Sequence, residues 1–287
     1  MILTNSSAAK VGGSNVTAIA SSTASFRQFM CYLSATISTA ITGTTGLIKN
    51  GIGGLTLSGV CNYTGPTQIN QGTLTVRSAS TLNGVISGSG TLTKAGVAIL
   101  TIGGNNTYSG GTSYVGSGIA NYIIYNSSNA FGTGLFTLTG STGRIDTRQI
   151  VTLPNDFLIN GTSLQFRTLI ATSTITVTGN IAGTGAINKT GNGIIDLQGT
   201  LTYTGGTTIT AGTLRALKTT GASTATATFT TGLSVSFNVS PPSGTTTFRF
   251  FQGSTSNAYA SVTLVGVPVG TTATYTSATS TLSVTVP

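Results

Sequence analysis

Three acidic side chains, all aspartates, occur in this 287-residue chain, and histidine is absent. Glycoside hydrolysis normally needs two carboxylates that face one groove. Asp146 and Asp156 are ten residues apart and could share a face, but Asp146 lies between Arg144 and Arg148, which is typical of a surface ion pair. Asp196 occupies a position that is threonine in other copies of a repeat, and we expect it to point outward. The carboxylates therefore do not predict an active site.

Other reactive groups are equally sparse. Without histidine, serine and threonine have no evident base, so a nucleophilic triad is not expected. Cys31 and Cys61 alone cannot hold zinc, and they form either a disulfide between neighbouring rungs or two buried free thiols. The glycine-rich segments GTGLFTLTG and GSGTLTKAG are interpreted as turns, because no helix follows them to bind phosphate. We predict a protein that is not an enzyme and has no cofactor or metal.

Twelve lysines and arginines give the chain a formal net charge of +9. They are scattered singly along the sequence, whereas a nucleic-acid site clusters basic residues on one face among aromatic ones. We therefore expect no specific binding to nucleic acid. The excess positive charge instead favours contact with acidic glycans or envelopes.

Neither a leader nor a membrane span is predicted. The N-terminal sequence MILTNSSAAK lacks the basic start, apolar block and cleavage site of a secretory signal. No apolar run reaches the roughly 18 residues that a membrane-spanning helix needs. Residues 26–33 have apolar side chains at helical spacing, and they are the one segment for which a helix is predicted.

The composition indicates strands. Charged residues make up only 5% of the chain, and its 40 glycines are spread at short intervals, which opposes long helices. Valine, isoleucine, leucine, threonine and aromatic residues recur in short alternating runs, unlike the polar tracts of disordered segments. The sequence therefore predicts an all-β fold.

Three segments superpose without gaps, at residues 41–74, 86–112 and 181–214. Each has a lysine eight residues after its first isoleucine, a tyrosine fourteen residues after the lysine, and a glycine two residues after the tyrosine. Residues 126–178 leave room for a further, degenerate unit built of short alternating strands. The shared positions are Lys49, Lys94, Lys189, Tyr63, Tyr108, Tyr203, Gly65, Gly110 and Gly205.

Internal repetition of short strands favours a solenoid over a sandwich or barrel. In GLTLSG, Leu55 and Leu57 share the inward face, whereas Thr56 points outward. Corners are expected where glycine adopts conformations that branched residues resist. The equivalent inward pairs are Leu100 with Ile102 and Ile195 with Leu197, and the corner glycines are Gly59, Gly104 and Gly199.

The repeated lysine and tyrosine each allow two interpretations. The lysine shares strand parity with an inward leucine or isoleucine, so we expect it where the strand leaves the core. A structural role bonding corner carbonyls is favoured over a ligand site. The tyrosine is interpreted as a corner packing residue, and a sugar-binding aromatic ladder is the alternative.

Both ends of the chain depart from the repeat. Solenoid ends expose unpaired backbone and need covering. We predict an N-terminal cap or attachment segment at residues 1–40, a repeat solenoid at residues 41–218, and a β-rich cap, small antiparallel domain or oligomerisation region at residues 219–287.

The repeats resemble the autotransporter-associated β-strand repeat, also called the passenger-associated transport repeat. The resemblance rests on LTKAGVAILTIGGNNTYSGGT, INKTGNGIIDLQGTLTYTGGTTITAGTL and the diverged IKNGIGGLTLSGVCNYTGPTQINQGTL, and it covers roughly residues 41–218. It implies a right-handed parallel β-helix that forms the exposed passenger of bacterial surface proteins. Similar repeats occur in fibre-like proteins of phages and other viruses, which fits a short chain without a leader or membrane barrel.

We therefore expect a non-enzymatic structural or display protein at a virion surface, as a fibre, spike or decoration subunit. The alternative is a bacterial adhesin passenger, on the cell surface or secreted, that binds host or matrix glycans. The expected partners are other virion or surface proteins and further copies of the chain. A trimer is favoured because fibres commonly close as trimers, and uncharged surfaces suit side-by-side packing. Cell-surface glycans are a further candidate.

Overall fold

The computed structural model describes residues 11–12, 16–19, 26–205, 207–211, 213–216, 234–236, 244–249, 263–265, 272–276 and 281–286. The chain divides into two compact units. The first comprises Met1–Ile145 with Pro154–Asp156, and the second comprises Asp146–Leu153 with Phe157–Pro287. Every regular element in the described residues is a β-strand, which confirms the predicted all-β class.

The described part of the first unit contains fifteen short strands, and β16 begins in this unit and ends two residues after Ile145. They are β1 Val11–Gly12, β2 Val16–Ile19, β3 Phe26–Cys31, β4 Ala35–Ile37, β5 Gly46–Asn50, β6 Gly54–Leu57, β7 Thr67–Ile69, β8 Thr73–Val76, β9 Ser80–Leu82, β10 Ile86–Ser87, β11 Thr91–Lys94, β12 Leu100–Ile102, β13 Thr112–Gly116, β14 Tyr122–Tyr125, β15 Phe136–Gly140 and β16 Thr142–Thr147.

The remaining strands belong to the second unit. They are β17 Ile150–Leu153, β18 Phe157–Ile159, β19 Ser163–Thr168, β20 Thr174–Val177, β21 Ile181–Ala182, β22 Ala186–Thr190, β23 Ile194–Leu197, β24 Thr207–Ile209, β25 Thr213–Ala216, β26 Ser234–Ser236, β27 Gly244–Arg249, β28 Thr263–Val265, β29 Thr272–Thr276 and β30 Thr281–Val286.

The first unit is a coil with three faces. Face one contains β3, β5, β7 and β10, face two contains β4, β6, β8, β11, β13 and β15, and face three contains β9, β12 and β14. Within each face these strands run parallel. Consecutive strands of the chain change face, and each winding returns to pair with the one before it. This arrangement confirms the predicted parallel β-solenoid.

The length of a winding is read from the strand register. On face two, Leu55 pairs with Leu74, and Leu74 pairs with Leu92, so these two windings are almost equal in length. Thr112 pairs with Phe136, so a later winding is clearly longer. The longer winding encloses aromatic rings, and the Phe131 and Phe136 ring centroids lie 4.8 Å apart.

Inward columns of aliphatic side chains form the core of the first unit. Leu55, Leu74 and Leu92 are completely buried and stack on successive windings, whereas Thr56 and Thr75 point outward and are partly exposed. Complete burial of a leucine side chain contributes about 1.5–3 kcal/mol. The predicted alternation of inward and outward residues is therefore the basis of the core.

The helix predicted for residues 26–33 is wrong. Residues 26–31 form β3, which pairs parallel with β5 on face one and antiparallel with β2. The following Tyr32 and Leu33 are exposed. The apolar residues at helical spacing thus form a strand, because a neighbouring strand offers main-chain partners that sequence periodicity does not reveal.

Parallel pairing begins before residue 41. β3 pairs with β5 and β4 pairs with β6, so residues 26–37 already belong to the coil. Earlier in the chain the pairing is antiparallel, between β1 and β4 and between β2 and β3. Residues 1–10, 13–15 and 20–25 lie outside the described part, and an attachment role for the N-terminal segment remains a prediction.

The second unit is also built of parallel strands. One sheet has the order β17-β20-β23-β25-β26-β28, and β19, β22 and β24 pair in a second sheet. Ile195 and Leu197 on β23 are buried, as the alternation predicts. Beyond residue 219, β27, β30 and β29 form an antiparallel sheet. The loops between these last strands lie outside the described residues, and their role as a cap remains a prediction.

The corner glycines are required for a reason other than the predicted one. Gly59 and Gly199 are not among the glycines with positive φ. A Cβ atom on Gly59 would lie 2.1 Å from the carbonyl oxygen of Thr39, and one on Gly199 would lie 2.0 Å from that of Gly179. Close approach of the neighbouring winding, and not an unusual φ angle, excludes a side chain there.

This contact predicts different outcomes for two substitutions in the same winding. Gly59→Ala places a methyl group against main-chain atoms that cannot move independently, so we expect a loss of about 1–3 kcal/mol in unfolding free energy. Gly54→Ala is the control, because its Cβ would meet nothing closer than Ser34 Oγ at 3.7 Å. Urea denaturation measures both, and equal stability of the two variants would contradict the close packing of windings.

Candidate functional site

The repeated lysines lie on different faces of the coil. Lys49 is on β5 of face one and Lys94 is on β11 of face two. Two windings separate Leu55 from Leu92. The two lysines are further apart in sequence than Leu55 and Leu92, and their separation is not a whole number of windings. The second copy is therefore displaced by one face relative to the first. A Lys-to-Tyr segment is therefore not tied to one face, and the first two copies do not stack on one another.

The Lys49 side chain lies inside the coil and its ammonium group bonds to main-chain carbonyls. Lys49 Nζ donates to the carbonyl oxygens of Asn50 at 3.0 Å, Gly51 at 2.7 Å and Gln71 at 3.0 Å. The first two acceptors lie at the end of β5 and in the corner that follows it, and the third belongs to the next winding. One buried side chain thus joins the corners of two consecutive windings.

Lys189 repeats this arrangement in the second unit. Its Nζ donates to the carbonyl oxygens of Thr190 at 2.9 Å, Gly191 at 2.6 Å and Ala211 at 3.2 Å, and to Thr168 Oγ1 at 3.1 Å. The three carbonyl acceptors stand at the same sequence offsets from the lysine as those of Lys49. Lys49 and Lys189 therefore share the three main-chain bonds, and the threonine bond is an addition.

Lys94 keeps the local bonds and changes the distant one. Its Nζ donates to the carbonyl oxygens of Ala95 at 2.9 Å and Gly96 at 3.2 Å. The third acceptor is the side-chain Oδ1 of Asn121, at 2.5 Å. The following winding is longer here, and an asparagine side chain provides the acceptor that main chain provides elsewhere.

A glycine that the sequence analysis did not single out completes each lysine corner. It stands two residues after the lysine, its carbonyl accepts from Nζ, and its φ angle is positive, between 74° and 77°. L-residues with a side chain adopt this conformation at a cost. The spacing Lys-x-Gly occurs in all three copies and is the signal that identifies these residues, Gly51, Gly96 and Gly191.

Burial governs the protonation of the lysines. Together with the nearby charge of Arg77, which has the smaller effect, it lowers the pKa of Lys94 to about 8. Burial likewise lowers the pKa of Lys189 to about 8. The pKa of Lys49 is also lowered by burial, against an opposing effect of Cys31. Carbonyl and hydroxyl oxygens solvate these groups, and none of the described hydrogen bonds joins them to a carboxylate.

The two cysteines are buried free thiols, which decides between the alternatives left open by the sequence. Burial raises the pKa of the Cys31 thiol, against an opposing effect of Lys49. Cys61 Sγ donates to the carbonyl oxygen of Gly59 at 3.3 Å. Both side chains act as small core residues.

The repeated tyrosines are buried and bond to a threonine four residues later. Tyr63 Oη lies 2.7 Å from Thr67 Oγ1, and Tyr108 Oη lies 2.6 Å from Thr112 Oγ1. Tyr203 and Thr207 form the same pair. The sequence analysis missed these threonines, although Tyr-x-Gly-x-Thr is present in every copy.

Burial of the rings limits what the tyrosines can do. Tyr63, Tyr108 and Tyr203 are at most 4% exposed, so their faces are not available to stack against a sugar. Burial raises the pKa of Tyr108 and raises that of Tyr203 to about 12, with the threonine hydroxyl opposing the shift in both. The phenols therefore stay protonated and serve as internal hydrogen-bonding groups.

The glycine after each tyrosine faces another winding at short range. A Cβ atom on Gly65 would lie 2.4 Å from the backbone nitrogen of Gly46. One on Gly110 would lie 2.5 Å from a main-chain atom of Gly90, and one on Gly205 would lie 2.3 Å from a main-chain atom of Gly185. These repeat glycines allow backbones to approach and leave no space for a ligand.

The aspartates differ from their expected positions. Asp146 is completely buried and not at the surface, and its Oδ2 lies 3.7 Å from Arg167 Nη1. Asp196 is only 6% exposed, although its strand position predicted an outward side chain, and it accepts a hydrogen bond from Gln198. Asp156 is exposed.

The described residues contain neither a candidate metal cluster nor a membrane-spanning helix. No group of three or more histidine, cysteine or acidic side chains there could hold a metal ion. No helix there is long and apolar enough to cross a membrane.

The lysine corner predicts the effect of one substitution. Lys94→Met keeps most of the side-chain volume and removes the donor for Ala95 O, Gly96 O and Asn121 Oδ1. We expect the unfolding free energy to fall by about 1–3 kcal/mol at pH about 9. Urea denaturation measures this loss. The control Arg148→Met changes an exposed side chain and should alter stability by less than about 0.5 kcal/mol.

The stability difference between wild type and Lys94→Met should depend on pH. The pKa of Lys94 is about 8 in the folded chain and 10.5 when unperturbed, so between these values the unfolded chain binds more protons. This lysine therefore adds stability as the pH rises through that range. We expect the stability difference between wild type and Lys94→Met to widen from pH about 8 to about 10. A difference that stays constant would contradict the assigned burial.

The segments that match a known family coincide with the three repeat copies. A family model described as the passenger-associated transport repeat matches residues 47–76, 92–113 and 187–216. No curated protein and no solved structure matches the chain. Each matched segment contains one lysine corner and one buried tyrosine, and the degenerate unit expected at residues 126–178 is not matched. Over these three segments the chain is similar to the passenger-associated transport repeat family.

Proposed function

We propose that this protein is a stiff, non-catalytic surface scaffold of the autotransporter-passenger type. The observation that carries the proposal is the match of three segments to a passenger-associated repeat, inside windings that form a β-solenoid. Such repeats are found in passengers exposed outside bacterial cells. An extracellular or cell-surface location follows as the favoured one.

The repeat residues form hydrogen bonds inside the coil, and this supports a scaffold role. The ammonium of Lys49 bonds to main-chain carbonyls of two windings, and the hydroxyl of Tyr63 bonds to Thr67. Both side chains are buried, and neither reaches solvent to contact a substrate. The repeat thereby stabilises corners, which favours a structural protein over an enzyme.

The bacterial surface alternative is favoured over the virion fibre. The family match supports a passenger, and the comparisons contain nothing that supports a virion protein. Binding of host or matrix glycans is a finer proposal, and it would have to use surfaces other than the buried repeat tyrosines. Association of several copies, with a trimer favoured, remains a prediction.

The location of the protein tests the proposal. Antibodies raised against the folded chain should label intact cells of the organism that encodes it, and protease added to intact cells should remove the label. A cytoplasmic marker that survives the same treatment is the control for cell integrity. Recovery of the protein in the cytoplasm, or with purified virus particles, would contradict the proposal.

A further inference from the structure

Face two presents a regular column of outward hydroxyl groups. Strand register places one threonine or serine of each winding directly beside that of the next. All six side chains are partly exposed. The members of this hydroxyl column are Thr36, Thr56, Thr75, Thr93, Ser113 and Thr137.

Three windings carry a second threonine on the same face, two residues from the column. The resulting Thr-x-Thr pairs are Thr73 with Thr75, Thr91 with Thr93, and Thr137 with Thr139. Thr73 and Thr91 are themselves neighbours in register. The hydroxyl groups therefore form a partial two-dimensional array, with rows along the strands and columns across them.

The array has fixed spacings. Neighbouring strands lie about 4.7–4.9 Å apart, and residues i and i+2 on one strand lie roughly 6.6 Å apart. Threonine is stiff at χ1, so its hydroxyl and methyl groups both have defined positions. The strand spacing is close to the shorter oxygen repeat on a prism face of ice, and the spacing along the strand approaches the longer one.

The types of residue on face two also limit which partner it could bind. The outward positions of β4, β6, β8, β11, β13 and β15 contain no charged and no aromatic residue; besides hydroxyl side chains they hold Gly54 and Val115. A face without charge offers nothing to nucleic acid or an acidic glycan, although the chain as a whole carries +9. A face without aromatic rings lacks the stacking surface that polysaccharide binding uses. The complementary partner is uncharged, flat and periodic.

We propose that face two binds ice, with the hydroxyl column and its Thr-x-Thr pairs holding the outermost water layer of the crystal. Rigidity makes this binding favourable, because the coil fixes the array before contact and little conformational entropy is lost. The activity goes beyond the scaffold role and does not depend on where the protein is located.

The other faces provide a contrast within the same unit. Outward positions in register on face one are Gln28, Ile48 and Gln68, which differ in size and flexibility. On face three, Thr81 and Thr101 are followed by Ile124. On neither of these faces do more than two successive windings have a hydroxyl residue at the outward position in register. The array is therefore specific to face two.

Inhibition of ice recrystallisation by the purified full-length chain tests the proposal. Wild type should keep ice grains small at concentrations where an equal mass of albumin does not. Thr93→Tyr places a bulky ring in the middle of the array and should abolish the inhibition. Thr101→Tyr, the matched control, makes the same change at an outward, partly exposed position of face three and should retain it. Circular dichroism verifies that both variants are folded.

Three outcomes would overturn the proposal. The first is a folded wild-type chain that affects ice growth no more than albumin. The second is an equal loss of inhibition in Thr93→Tyr and Thr101→Tyr. The third is wild-type protein that sediments with crystalline cellulose or chitin and has no effect on ice, since this would identify the face as a polysaccharide surface.

Discussion

Hydrogen bonding between the main chains of consecutive windings is the constraint on which the structure depends. Each strand of the coil satisfies its backbone groups through the winding before it and the winding after it. The windings must therefore approach closely at every corner as well as along every face. Gly59 shows the consequence, because a single Cβ atom there would lie 2.1 Å from the carbonyl oxygen of Thr39.

The lysine corner resolves a problem that close stacking creates. A corner turns main-chain carbonyls toward the interior, where they are partly or wholly buried, and an unpaired buried carbonyl costs about 1–3 kcal/mol. Lys49 Nζ donates to three such carbonyls, from two windings, at once. Because two of the acceptors directly follow the lysine in sequence, the unit can form on more than one face, and Lys49 and Lys94 lie on different faces.

Much of the fold follows from the sequence, since period-2 alternation and repetition together require stacked parallel windings. The inward positions of Leu55 and Leu57 were predicted in this way and are buried. The face on which a copy lies could not be predicted, because it depends on winding length, and the longer winding between Thr112 and Phe136 is not marked by the repeat. The strand at residues 26–31 was missed because its apolar residues also fit helical spacing, and its pairing with β2 and β5 is not visible in that pattern.

The sequence also predicted part of the candidate site. The offsets of lysine, tyrosine and glycine identified nine structural positions, whereas the glycine two residues after the lysine and the threonine four residues after the tyrosine were missed although both recur. The burial of Asp146 had no sequence signal, because its contact with Arg167 joins it to a strand that comes later in the chain.

Disulfide trapping tests the stacking of windings most directly. Thr56 and Thr75 pair in register on adjacent strands, whereas Thr56 and Thr93 are two strands apart. Adjacent strands lie about 4.8 Å apart, which suits a disulfide, and twice that distance exceeds its reach. Oxidation should therefore cross-link a Thr56→Cys/Thr75→Cys protein and leave Thr56→Cys/Thr93→Cys open. Cross-linking of the second pair, or failure of the first, would contradict a solenoid with this register.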